Sequence, residues 1–175
     1  MQVKAQKKVA TKKSAHKKVV AKTQKTKKTN ALSTQKRSHH CVTAVNAEKA
    51  PAAVGPYVHA TKANGMVFVS GQLPLDPATM KFNSDSDVAL QAQQCLVNMK
   101  NILEAAGSDM NHVMKTTILL KNMGDFQKVN KVYAEHFTTN LPARVCYAVQ
   151  DLPLGALVEI DAVAVEAKHT DKCDV

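Results

Sequence analysis

The chain has 175 residues and a formal net charge of +10, room for one ordinary domain and an appendage. Its charge is lopsided: residues 1–50 hold 14 Lys and Arg against Glu48 alone, while residues 51–175 hold 10 basic and 13 acidic residues. The basicity therefore belongs to the N-terminal segment, and with no apolar run approaching 18 residues the composition excludes a membrane-spanning helix.

The N-terminal segment, MQVKAQKKVATKKSAHKKVVAKTQKTKKTNALSTQKRSHHC, has no aromatic residue and no leucine before Leu32. It cannot bury enough apolar area to offset its ordering entropy, so it reads as disordered through about residue 45, within a tail bounded at 1–48. Three roles fit it. An acid-free, Ser/Thr-containing start suits a mitochondrial transit peptide, although Arg37 is its one arginine. A lysine-rich arm suits nucleic-acid contact by counterion release, or a nuclear address. A solvated extension needs no role. The expected location is cytoplasmic or mitochondrial. The four cysteines (41, 95, 146 and 173) show no paired spacing, which favours free thiols in a reducing compartment. His39-His40-Cys41 lacks a second cluster to complete four ligands, so no metal site is expected.

A domain is expected over 49–170, with 171–175 a flexible C-terminus. NAEKAPAAVGPY is a linker ending in a Gly-Pro turn. Tyr57–Thr61 and Met66–Ser70 read as strands joined by KANG, whose Asn-Gly is a hairpin signal. SGQLPLDPATM is a Pro-rich loop. From Asp87 the apolar period changes: Val88, Ala92, Cys95, Leu96, Met99, Ile102, Leu103 and Ala106 make a helical stripe, with Gly107 at the C-cap. His112–Lys121 is β-branched and apolar, a strand. Asp125 is placed to cap a second helix with Phe126, Val129, Tyr133 and Phe137 on one stripe. Arg144–Gln150 and Ala156–Glu166 read as final strands flanking DLPLG.

The order ββαβαββ, with two helices on one face of a mixed sheet, makes an α+β sandwich. No third helix remains for the other sheet face, whose residues are largely apolar or small. Burial against other subunits is expected there.

Arg144 is the single arginine after residue 50, in a stretch that carries nine lysines. Strand alternation puts Arg144, Cys146, Ala148 and Gln150 on one face and Val145, Tyr147 and Val149 on the other. Guanidinium is a planar fork that holds a carboxylate by two parallel hydrogen bonds. A structural ion pair with Asp151, Glu159 or Asp161 satisfies the same pattern.

PARVCYAVQDLPLGALVEI resembles the C-terminal signature of the RidA/YjgF family of enamine/imine deaminases. APAAVGPY at 50–57, FVSGQLPLDP at 68–77, EAAG at 104–107, KTTILLKNMGDF at 115–126 and VNKVYAEHF at 129–137 resemble the family in the same order, covering Ala50–Lys168. The resemblance implies a chorismate-mutase-like fold and a homotrimer with active sites between subunits. It implies that Arg144 grips a substrate carboxylate, that Glu159 serves the hydrolytic water, and that Cys146 lines the catalytic cleft. Tyr57, Ser70, Gly71 and Asn130 complete the substrate pocket on the same grounds. The implied reaction is hydrolysis of small-molecule imino acids and enamines (2-aminoacrylate, 2-iminobutanoate, 2-iminopropanoate) to 2-oxo acids and ammonia, with no metal or cofactor. Cys146 is not read as a nucleophile, since no histidine falls at a suggestive spacing. Two other readings use the same scaffold: a single-strand RNA-binding endoribonuclease that inhibits translation, and a chaperone-like partner-binding trimer.

Overall fold

The computed structural model describes residues 41–170. The readings placed on residues 1–40 and 171–175 (the basic arm, the His39-His40 pair, the C-terminus) lie outside them.

Strand β1 (Thr43–Val45) is followed by β2 (Ala60–Ala63) and β3 (Met66–Gln72). Helix α1 (Val88–Ala105), β4 (Val113–Leu120), α2 (Phe126–His136), β5 (Ala143–Ala148) and β6 (Val158–Val165) come next, then a terminal turn α3 (Ala167–Thr170). The sheet order is β1-β2-β3-β6-β4-β5. All neighbours are antiparallel except β4 and β5, which α2 joins as a parallel crossover.

Three expectations change. Thr43–Val45, read as tail, pairs with Lys62–Ala60 and contributes buried Val45. Its three residues are too few for a period to show. The second strand begins at Ala60, so Tyr57 stands in the turn before it. Asp125 occupies the cap position of α2 without capping it: its carboxylate takes Lys128 Nζ at 3.0 Å. Asn122 instead caps the single 3₁₀ turn leading into α2, its Oδ1 accepting the Gly124 N–H at 2.8 Å.

The other elements form for local reasons. Asn64 and Gly65 have φ of 55° and 76°, the left-handed pair a type I′ hairpin requires. Asp87 Oδ1 accepts the Ala89 N–H at 2.8 Å at the start of α1. At its end Gly107, φ 79°, gives its N–H to Glu104 O, and Ser108 gives its N–H to Leu103 O, a complete Schellman motif. Buried His59 fastens the incoming chain: Nδ1 accepts the Ala47 N–H and Nε2–H donates to Pro51 O, both at 2.8 Å.

The core lies between the helices and one sheet face, with Leu96, Met99, Ile102, Leu103 and Val129 meeting Val67, Ile118, Leu120, Val158 and Ile160. On the other face Phe68, Met114, Val145 and Tyr147 are each 40–48% exposed. No helix among the described residues is long and apolar enough to cross a membrane.

Candidate active site

The pocket residues fall into two groups. In the first, β3 bulges between Val69 and Gln72, where Ser70 and Gly71 together oppose Asp161 alone. This lifts Ser70 and Gly71 out of the regular pleat at the rim of a recess of about 340 Å³ that Val54, Tyr57, Leu73, Pro153 and Glu159 also line. Ser70 Oγ–H donates to Val58 O at 2.7 Å and its N–H to His59 O at 3.0 Å, tying the bulge to the turn that carries Tyr57. Gly71 is required by proximity. A β-carbon there would overlap Glu159 Oε1 and stand 2.8 Å from Glu159 Cδ.

Glu159 alternates with buried Val158 and Ile160, so it points to the helix-free face. Its carboxylate has no hydrogen-bond partner among the described residues. Burial pushes its carboxyl above the usual carboxylate range, and the like charge of Asp161 on the same face adds to this. Asp161 Oδ1 accepts the Thr117 N–H at 3.2 Å, which holds that charge against the sheet. Asp161→Asn keeps an acceptor for Thr117 and removes the charge. Glu159 is then expected to lose its proton at lower pH, and whichever limb of a pH–rate profile it governs moves the same way. A carboxyl-carbon NMR titration measures this, and an unmoved midpoint would leave burial as the whole cause.

The second group surrounds Arg144. On β5, Arg144 lies opposite Thr116 and Cys146 opposite Ile118. Thr116 and Ile118 are buried beneath the helices, so Arg144 and Cys146 face the helix side. The guanidinium donates through Nη1 to Asn130 Oδ1 at 2.8 Å and lies 4.9 Å from the Tyr133 ring centroid and 5.6 Å from that of Phe126. None of the three acids offered by strand spacing pairs with it; Asp151 pairs with Lys121 instead. A recess of about 430 Å³, bounded by Asn130, Tyr133, Phe137, Leu141 and Pro142, opens beside it. Burial pushes the Cys146 thiol up, and the opposing pull of Arg144 is the smaller effect. The thiol is thus kept protonated, in line with a lining role.

Within one chain, therefore, Tyr57, Ser70, Gly71 and Glu159 come together, as do Asn130, Arg144 and Cys146. The two groups do not meet, since Arg144 faces the helices and Glu159 the opposite side of the sheet. Several lining residues were not visible as such in the sequence. Phe126 and Tyr133 read as core stripe, though their spacing with Asn130 places all three on one side of α2. Val54, Leu73 and Pro153 sit in segments read as loops, with no signal beyond Pro and Gly.

A mixed sheet with helices on one face, an arginine with no acid partner among the described residues, and a half-buried acid over a bulged strand define a small α+β protein. Residues 47–166 match the family described as Endoribonuclease L-PSP. The chain belongs to this family, also known as RidA/YjgF/RutC. It is 52% identical over 120 residues to Reactive Intermediate Deaminase A, chloroplastic, of Arabidopsis thaliana, covering 69% of this chain and 64% of that one. It is 43% identical over 126 residues to the 2-iminobutanoate/2-iminopropanoate deaminase of Homo sapiens, covering 72% and 91%. Among solved structures it resembles E. coli TdcF with bound serine, with 36% identity, a TM-score of 0.66 and coverage of 70% and 98%.

Proposed function

We propose that the protein hydrolyses small 2-imino acids and their enamine tautomers to 2-oxo acids and ammonia, in a trimer whose sites form between neighbouring chains. The observation that carries this is Arg144: a guanidinium oriented by Asn130 and Tyr133, open to solvent, with no acid on it among the described residues. Such a group takes a carboxylate by its remaining N–H donors. The human relative is named for deamination of 2-imino acids, the Arabidopsis relative for deamination of a reactive intermediate, and TdcF holds serine, which together support a small amino-acid-like substrate.

In this reading the substrate carboxylate sits on Arg144 of one chain and the C=N carbon faces Glu159 of its neighbour. Water adds to that carbon while Glu159 takes one of its protons and passes it to nitrogen, giving a carbinolamine; Glu159 then carries the carbinolamine's hydroxyl proton to nitrogen as the C–N bond breaks, which forms the 2-oxo acid and releases ammonia. The helix-free face, with exposed Phe68, Val145 and Tyr147, is the surface such an assembly buries. Imines already hydrolyse in water, so the gain comes from orientation and proton handling.

The test is single-turnover hydrolysis of 2-iminobutanoate, generated in situ by a pyridoxal-phosphate dehydratase and followed as 2-oxobutanoate. Arg144→Lys loses the fork, and its rate is expected to fall roughly tenfold or more. Equal rates for the two proteins, or no gain over the uncatalysed reaction, would overturn the proposal. For RNA cleavage the described domain offers less: both ring nitrogens of His59 are committed to backbone groups, which leaves it no lone pair to act as a base.

A further inference from the structure

We infer that Tyr133, held by Thr116, is a positioning residue for Arg144, and that this pair sets how tightly the site binds a carboxylate. The inference rests on the carboxylate-clamp reading above and adds what makes the clamp rigid.

An arginine on an edge strand, alone and solvated, spreads over many rotamers, and ordering it on each binding event weakens affinity. Here the guanidinium is ordered before any ligand arrives. The Tyr133 ring lies 4.9 Å from Arg144 Cζ, within cation–π range, and Asn130 Oδ1 takes one of the five N–H donors. The donors not bound to Asn130 remain for a ligand.

The ring is itself immobilised. Its hydroxyl points into the core and shares a hydrogen bond of 2.7 Å with Thr116 Oγ1, whose residue is fully buried on β4 directly opposite Arg144. Phe137 braces it from the following turn, ring centroids 4.4 Å apart. Thus the strand register that places Arg144 also places Thr116, and Thr116 fixes the ring that supports the guanidinium. A tyrosine needed only for packing would not require its hydroxyl aimed at the residue paired with the arginine. Burial and the hydroxyl bond keep the ring from turning away when a ligand approaches.

The test is direct binding of 2-oxobutanoate, a 2-oxo acid bearing the relevant carboxylate, to the full assembled protein by calorimetry, alongside kcat and KM for the imine. Arg144→Lys is the reference for loss of the clamp. Tyr133→Leu, which removes ring and hydroxyl, is expected to weaken 2-oxobutanoate binding and raise KM about tenfold, with kcat changed much less. Thr116→Val, which touches no ligand, is expected to weaken binding about threefold through the freed ring, and it decides the matter if Tyr133→Leu does not fold. Tyr133→Phe keeps the ring and should fall with Thr116→Val. If Arg144→Lys weakens binding while the three ring variants bind as wild type, Tyr133 is packing alone and the inference fails, leaving the clamp intact. If Arg144→Lys itself binds normally, the clamp reading fails, and with it the role assigned to Tyr133.

Discussion

Gly71→Ala is expected to leave the fold nearly untouched and remove most of the activity. The added β-carbon would overlap Glu159 Oε1 and stand 2.8 and 3.2 Å from Glu159 Cδ and Cγ. Glu159 is half-buried and its carboxylate has room to swing into the open recess, so the backbone need not move. Relief is inexpensive in stability and costly in placement, because the carboxylate leaves the position over the bulge from which the proposed mechanism has it reach the substrate. General acid–base groups contribute on the order of 10²- to 10⁴-fold, and a displacement of about 1 Å already removes much of that. Gly71→Ala should therefore approach the rate of Glu159→Gln, and the double variant should be no slower than the worse single one. Thermal melting and kcat/KM on the same preparations check this. Activity within about threefold of wild type would show that Glu159 does not act from where it stands.

The second large effect concerns the separation of Arg144 and Glu159 on opposite faces of one sheet. If the site is shared between neighbours, Arg144→Lys and Glu159→Gln each disable every site in a uniform assembly. Unfolded together in equal amounts and refolded, the two variants form mixed rings. A given interface takes its arginine from an E159Q chain and its glutamate from an R144K chain about a quarter of the time, so about a quarter of wild-type activity should return from two near-inactive proteins. Mixing without subunit exchange should return nothing. Failure to recover activity after verified exchange would place both groups of one site in a single chain and remove the inter-subunit arrangement. Size-exclusion chromatography with light scattering, run first, establishes how many chains associate.

Much of the fold could be read from local pattern because its causes are local. The α1 stripe from Val88 to Leu103, the Asp87 cap and the Gly107 terminus are each set within one or two turns. The Asn64-Gly65 hairpin depends on two residues that accept positive φ. Asp125 shows the limit of such reading. A cap-type residue at a helix start was served by Lys128 instead, and Asn122 three residues earlier did the capping. The single arginine stood out by residue choice alone, and the alternation along β5 correctly placed Cys146 on its face.

What the sequence by itself determined, then, is the set of elements other than β1, the apolar stripe of each helix and the identity of the chemical groups, since these follow from periods of two and 3.6 and from side-chain chemistry. Which groups meet was decided by tertiary structure. Thr116 lies 28 positions from its strand partner Arg144, and Leu119 lies 40 from Glu159. A register change of one residue would exchange the faces of either strand. Strand register, the bulge at Ser70 and Gly71 and the docking of α2 against β5 together place Glu159 over Gly71 and Tyr133 beneath Arg144. None of these is a local property, because each arises when segments remote in sequence bury a common core.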